Sequence, residues 1–225
     1  MTFSITGRCA RSGMFGIAVT SSSMAVAARC AFVRAGVGAV ATQNITDPRL
    51  GPRGLDLMAE GRNASEALAQ LLAEHELRDY RQLALVDSSG GSAVHSGAKT
   101  LGLYNTANGP DAVAAGNLLA DKAVPEAMLS AFQAAAESHL GERLLIALQA
   151  GLAAGGEEGP VRSAGALVAD KQAWPLVDLR VDWSEGDPIA DLTEAWRGWA
   201  PQMDDYVTRA LDPASAPAYG VPGDL

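Results

Sequence analysis

The chain has 225 residues, 48% of them apolar and 19% charged, which suits one large folded domain and excludes a disordered polymer. Seventeen Lys and Arg against 26 Asp and Glu leave a net charge of −9, so nucleic acid is not an expected partner. No apolar run approaches the ~20 residues that span a bilayer, no basic-then-apolar leader opens the chain, and two cysteines with three scattered histidines cannot build a disulfide scaffold or a metal centre. A cytoplasmic protein with no membrane partner, no metal and no cofactor is the expectation.

Residues 2–9 alternate Thr2, Ser4, Thr6 and Arg8 with Phe3, Ile5, Gly7 and Cys9, the two-residue period of a strand. Ser12 and Gly13 supply a turn, and strands are predicted over 14–20, 24–30 and 36–43. Four strands in so few residues leave no room for crossover helices, so antiparallel pairing follows. Helical periods appear at 48–60 and 65–73, the second with Asn63 as N-cap and Glu66 closing a capping box. Arg81–Asp87 and 92–95 read as strands joined by the turn sequence Ser-Ser-Gly-Gly, and 111–116 as another strand ahead of Asn117. Helices are predicted over 124–138 and 140–154, the first with Pro125 in its opening turn and the second with the stripe Leu144, Leu145, Leu148 and Leu152. Strands 164–169 and 176–181 follow, then a helix from Asp187-Pro188 carrying Ile189, Leu192, Trp196 and Trp199. Residues 1–200 form the expected domain, and 201–225, which hold four of the eleven prolines, read as an irregular tail that packs on a second copy in a homo-oligomer.

Strands and helices come in blocks, which argues against a parallel βαβ sheet. Two mainly antiparallel sheets face to face, each covered by a helix pair, would bury every apolar face. The predicted class is therefore α+β, a four-layer αββα sandwich.

Nucleotide-binding glycine loops, the zincin helix and the Gly-x-Ser-x-Gly elbow are all missing. What remains is Thr2, a hydroxyl residue directly after the initiator methionine and at the start of the first strand. If Met1 is removed, Thr2 carries nucleophile and base on one residue, because a free α-amine titrates near pH ~8 and can take the hydroxyl proton. A Met-Thr start is also common among proteins that make no use of it.

Several segments together resemble the domain-of-unknown-function 1028 family. They are Thr2-Phe-Ser-Ile, Gly16-Ile-Ala-Val-Thr-Ser, Arg34 to Gln43, Leu50-Gly-Pro-Arg-Gly-Leu55, Arg81-Gln82, Val86-Asp87, His95 with Gly97, Ala115-Gly-Asn117, Glu142-Arg-Leu-Leu145 and Asp178-Leu-Arg-Val-Asp182. They run in order through residues 2–195. The resemblance implies an Ntn-hydrolase-like (N-terminal-nucleophile) fold and no established reaction. Two stretches depart from it. Gly155-Gly-Glu-Glu and Val161-Arg-Ser-Ala-Gly165 stand where Gly-Gly-Asp leading into Gln-Ser-Ala-Ala is expected, and Met24-Ala-Val-Ala-Ala28 stands where a glycine is expected.

Gln43 and Asn44 end a strand, where they either orient a substrate carbonyl or cap the turn. Asn117 is either an oxyanion donor or an Asx-turn residue. His95 is the histidine placed for acid–base work, with a structural hydrogen bond as its other role. Asp178 and Arg180 share one strand face, as a charged wall for a polar substrate or as an ion-pair ladder. Arg34 and Arg53 either hold a substrate carboxylate or are solvated surface, and Ser21, Ser22 and Ser23 form a loop with one hydroxyl to lend to the nucleophile. Two functions follow: an amidohydrolase in which Thr2 attacks a small polar amide, or a non-catalytic binding or assembly protein on the same scaffold.

Overall fold

The computed structural model describes residues 1–221; the last four residues of the expected tail lie outside them. The strands are β1 (Thr2–Arg8), β2 (Phe15–Ser21), β3 (Ala31–Arg34), β4 (Gly38–Asn44), β5 (Arg81–Asp87), β6 (Ser92–Ser96), β7 (Asn105–Gly109), β8 (Ala112–Asn117), β9 (Ser163–Ala169) and β10 (Val177–Val181). The helices are α1 (Ala27–Cys30), α2 (Leu50–Ala59), α3 (Ala64–Glu74), α4 (Val124–Ala134), α5 (Leu140–Ala153), α6 (Pro188–Trp199) and α7 (Met203–Leu211). One sheet has the order β10-β9-β2-β1-β8-β7 and the other β3-β4-β5-β6, with every neighbouring pair antiparallel.

Three apolar layers hold these elements together. Phe3, Ile5 and Ala18 of the larger sheet pack against Met128 and Phe132 of α4, Leu144, Leu145 and Leu148 of α5, and Leu192 of α6. Val40, Leu83 and Leu85 of the smaller sheet pack against Leu55, Leu57 and Leu71 of α2 and α3. Between the sheets, Phe15, Ile17, Val19 and Val113 meet the small side chains Ala39, Ala41 and Ala84. Each fully buried Phe, Leu or Ile side chain contributes roughly 1.5–3 kcal/mol. The result is the αββα sandwich. In it β1 is buried on both faces: Phe3 and Ile5 point to the helices, while Thr2, Ser4 and Thr6 point to the opposing sheet rather than to water.

Local signals formed as expected where chemistry close in sequence decides. Asn63 Oδ1 accepts from Glu66 N–H at 2.9 Å, and Asn63 N–H donates to the Glu66 carboxylate at 3.0 Å, completing the capping box. Asp187 caps α6 by accepting from Ile189 and Ala190 N–H, ahead of Pro188. The Ser88-to-Gly91 turn joins β5 to β6, fastened by the Asp87 carboxylate, which also accepts from Ala64 N–H at 2.8 Å and so ties in α3.

Three expectations are corrected. The strand predicted over 24–30 is a turn and the short helix α1, and the strand proper is β3; an alanine-rich apolar run carries no period that separates helix from strand, and alanine favours helix. β7, Asn-Thr-Ala-Asn-Gly, went unpredicted because its residues disfavour strands, and it forms by pairing with β8 at the sheet edge. Residues 203–211 are helical, and the tail folds back on its own chain: Trp199 stacks on Tyr206 at 5.1 Å, and Tyr206 meets Tyr219 at 6.1 Å.

Candidate functional site

Registers of the two sheets place polar side chains in two facing rows at one end of the sandwich. Across the larger sheet, Ser163 lies beside Ser21, and Thr2 lies beside Asn117, on the four adjoining strands β9, β2, β1 and β8. Across the smaller sheet, Gln43 is paired with Gln82 and Gln82 with Ser96. These rows are joined by hydrogen bonds. Ser4 Oγ donates to Gln43 Oε1 at 2.7 Å, Gln43 Nε2 to Gln82 Oε1 at 2.8 Å, and Asn117 Nδ2 to the same oxygen at 3.0 Å. Gln82 Nε2 in turn donates to Ser96 Oγ at 2.9 Å and to the Gly116 carbonyl at 3.0 Å. Gln43, Gln82 and Asn117 are all buried, so each bond replaces water that the interior cannot supply.

The Thr2 hydroxyl is also buried. Both it and Ser21 Oγ donate to the carbonyl oxygen of Met1, and the two hydroxyl oxygens are 3.4 Å apart. Ser21 Oγ further contacts Ser23 Oγ at 2.7 Å and accepts from Ser23 N–H at 3.0 Å. Ser163 holds this loop from below, donating to the Ser23 carbonyl at 2.6 Å and accepting from Val26 N–H at 3.2 Å.

An acid completes the cluster. Gly155 and Gly156, at φ +122° and +61°, turn the chain out of α5 in a conformation that side chains resist, and Glu157 follows them into the interior. Its Oε2 accepts from Ser22 N–H at 3.2 Å, while Oε1 is buried without a partner. Burial pushes the Glu157 carboxyl up to about 7, against the opposing pull of the chain's α-amino group and the Ser22 N–H. Asn117 Oδ1 is a second buried polar atom without a partner. The atom left over at Asn117 is thus an acceptor, suited to an N–H or an ammonium rather than to the oxyanion expected there.

Other expected site residues are placed elsewhere. His95 is in register with Leu83 on the helix-covered face of the smaller sheet, opposite to the face that carries Gln82, and its Nε2 is 3.1 Å from the Arg78 carbonyl. Asn44, at φ +72°, donates to the Tyr80 carbonyl at 2.6 Å and accepts from Leu101 N–H at 3.2 Å, as a turn residue. Arg34 lies at the opposite end of the smaller sheet from Gln43 and is paired with Asp56 at 2.8 Å. Asp178 and Arg180 pair with each other at 2.7 Å on the edge strand β10, with two strands between them and β1. Ser22 reaches the cluster through its backbone N–H. Glu157, Gln82 and Ser163 were not among the expected site residues, and of the serine loop it is Ser21 whose hydroxyl meets that of Thr2. The two glycines before Glu157 are the signal that announces it.

Among the described residues no helix is long and apolar enough to cross a membrane, and no three His, Cys, Asp or Glu side chains are gathered as a metal ion would require. No curated protein matches the chain. Among solved structures, protein SPO2555 from Silicibacter pomeroyi, itself described as DUF1028, is similar over 91% of this chain and 89% of that one, at 28% identity and a TM-score of 0.84. Anbu (ancestral beta-subunit) from Yersinia bercovieri is a remoter likeness, at 9% identity and a TM-score of 0.38 over 91% of this chain and 97% of that one. A family model described as a family of unknown function, DUF1028, matches residues 2–192, and the chain belongs to that family.

Proposed function

We propose that the protein is an N-terminal-nucleophile amidohydrolase acting on a small polar amide, with Thr2 as nucleophile once Met1 is removed. One observation carries this. The first side chain of a doubly buried central strand is a hydroxyl that, together with Ser21 Oγ, converges on a carbonyl oxygen, here that of Met1. Glu157, a buried acid that titrates near neutrality, is close enough to feel the terminal amine.

With Met1 gone, the α-amine of Thr2 takes the proton of its own hydroxyl. Thr2 Oγ1 then bonds to the amide carbon, and the C–N bond breaks as the leaving nitrogen takes up that proton. Water releases the acyl group by the same route in reverse. Ser21 Oγ is the donor for the carbonyl oxygen as it gains charge. Asn117 Oδ1 and the Glu157 carboxylate fix the amine by accepting its N–H groups. This orientation leaves Thr2 Oγ1 free for the substrate.

Intact-mass measurement of the protein from its native host, then turnover of an amide panel by wild type and Thr2→Ala, tests the assignment. Loss of Met1 and a fall in turnover of roughly 10³-fold or more in Thr2→Ala are expected. Equal turnover in the mutant removes Thr2 from the mechanism. The second reading, a binding or assembly protein, is favoured by the engagement of both hydroxyls with Met1. It predicts that Met1 is retained, and that amides raise the melting temperature without being hydrolysed.

A further inference from the structure

The opposite end of β1, ~20 Å from Thr2 at the rise of a strand, ends in a second cluster. A cavity of about 280 Å³ is lined by Arg8, Cys9, Arg11, Asp111, Glu137 and Arg143, among others. Its charges do not balance. Arg8 is paired with Asp111 and Arg11 with Glu137, each at 2.7 Å. Arg143 is only 7% exposed and has no carboxylate partner among the described residues. Its Nε and Nη2 donate to the Phe132 carbonyl at 3.3 and 3.2 Å, and its guanidinium lies 3.9 Å over the Phe132 ring. Guanidinium stays charged at any pH a protein survives, and a buried cation without a counter-charge is costly. The acidic group that acts on Arg143 most strongly is the Cys9 thiol. An orphan donor lines the same cavity: Arg8 Nε is buried with no acceptor among the described residues.

The β1–β2 turn prepares the sulfur. Cys9 N–H donates to the Met14 carbonyl at 2.9 Å and Gly13 N–H to the Cys9 carbonyl at 2.8 Å, closing a loop around the thiol. Burial pushes that thiol up, but the Ser12 side chain, the backbone N–H groups of Ser12 and Arg11 and the charge of Arg143 outweigh it and hold it below its ordinary value. Cys30 is the internal contrast. It is buried near Thr46 Oγ1, at 3.6 Å, and burial pushes its thiol up.

We propose that Cys9 is the nucleophile of a second site, its thiol sharing with Arg143 the wall of an arginine-lined cavity that takes small electrophiles bearing a carboxylate. The carboxylate is held by the Arg11 and Arg143 guanidiniums, and the sulfur attacks the electrophilic carbon. A C–S bond forms and the leaving group departs with its bonding pair. The thiol proton passes to solvent before the attack, a step eased by the Ser12 contacts and the Arg143 charge that hold this thiol below its ordinary range.

Iodoacetate and iodoacetamide test this on the full, reduced chain, because they differ in charge and hardly in size: alkylation forms the C–S bond and expels iodide. Free thiolates prefer the neutral reagent. Peptide mapping is expected to find iodoacetate on Cys9 and not on Cys30, at a rate above that of iodoacetamide by ~10-fold, with labelling that persists below pH 8 and weakens in high salt. Arg11→Gln, at an exposed ion pair that folding does not need, should lower that preference, and Glu137→Gln should raise it. A Cys9 that is unlabelled in the native protein, that labels no faster than Cys30, or whose preference for the anion is absent or unmoved by either variant overturns the proposal. These readouts do not involve Thr2 or amide turnover, so they stand or fall apart from the hydrolase assignment.

Discussion

The layer between the two sheets has two regions built on opposite terms. Its middle is apolar and thin, with Ala39, Ala41, Ala84 and Ala115 letting the sheets approach. Its end is a lattice of amides and hydroxyls, Ser4, Gln43, Gln82 and Asn117, bonded from sheet to sheet. Volume decides the first region and partner count decides the second. Close packing makes even one methyl costly in the middle. At the polar end a lost partner strands a buried donor or acceptor, at about 1–3 kcal/mol each.

Replacing Gln82 breaks that contrast most directly. Gln82→Leu keeps volume but deprives Gln43, Asn117, Ser96 and the Gly116 carbonyl of a partner. Urea unfolding should show a loss of about 3 kcal/mol or more. A cost below 1 kcal/mol would mean that water already satisfies these groups.

Glu157 sharpens it next. Its folded carboxyl holds a proton up to about 7, above the ordinary 4.5, so the native state binds that proton more tightly than the unfolded chain does. The associated stability is fully present below pH 4.5 and is lost as pH rises through 7. Unfolding free energy should therefore fall by about 3 kcal/mol over that window, and Glu157→Gln should flatten the slope. An unchanged slope in the mutant would assign the effect to another group.

The apolar middle is probed by one methyl. A Cβ on Gly165 would fall well inside contact distance of Ala27 Cβ. Gly165→Ala should cost about 1–3 kcal/mol, and Ala27→Gly in the same chain should recover most of it. Additive costs in the double mutant would show that the two positions do not share one space.

Much of this was legible because it is local. The alternation in residues 2–9, the Asn63 cap, the Ser88-to-Gly91 turn and the block order each depend on residues near one another, and they carried the strands, helix ends and sandwich. Asn117 and Gln43 were visible as amides at strand ends. Their shared partner Gln82 was not, because its role arises only where the second sheet folds over the first. His95 was misplaced for the same reason: a strand's period tells which residues share a face, whereas the register with Leu83 tells which face it is. Glu157 was hidden behind a glycine pair that also reads as an ordinary helix stop.

The folded-back C-terminal segment has a different standing from the rest. Trp199 stacks on Tyr206, Tyr219 meets Tyr206 edge-on, and Arg209 lies over both tyrosine rings, at 5.0 and 4.1 Å, while none of the α7 residues is fully buried. Such a clasp is fastened by ring faces and one cation, with only the half-buried Met203 and Val207 reaching the larger core. With so few buried apolar contacts, residues 203–219 form a cover over the edge made by α6 and the β9–β10 loop, and they are expected to open before the sandwich melts.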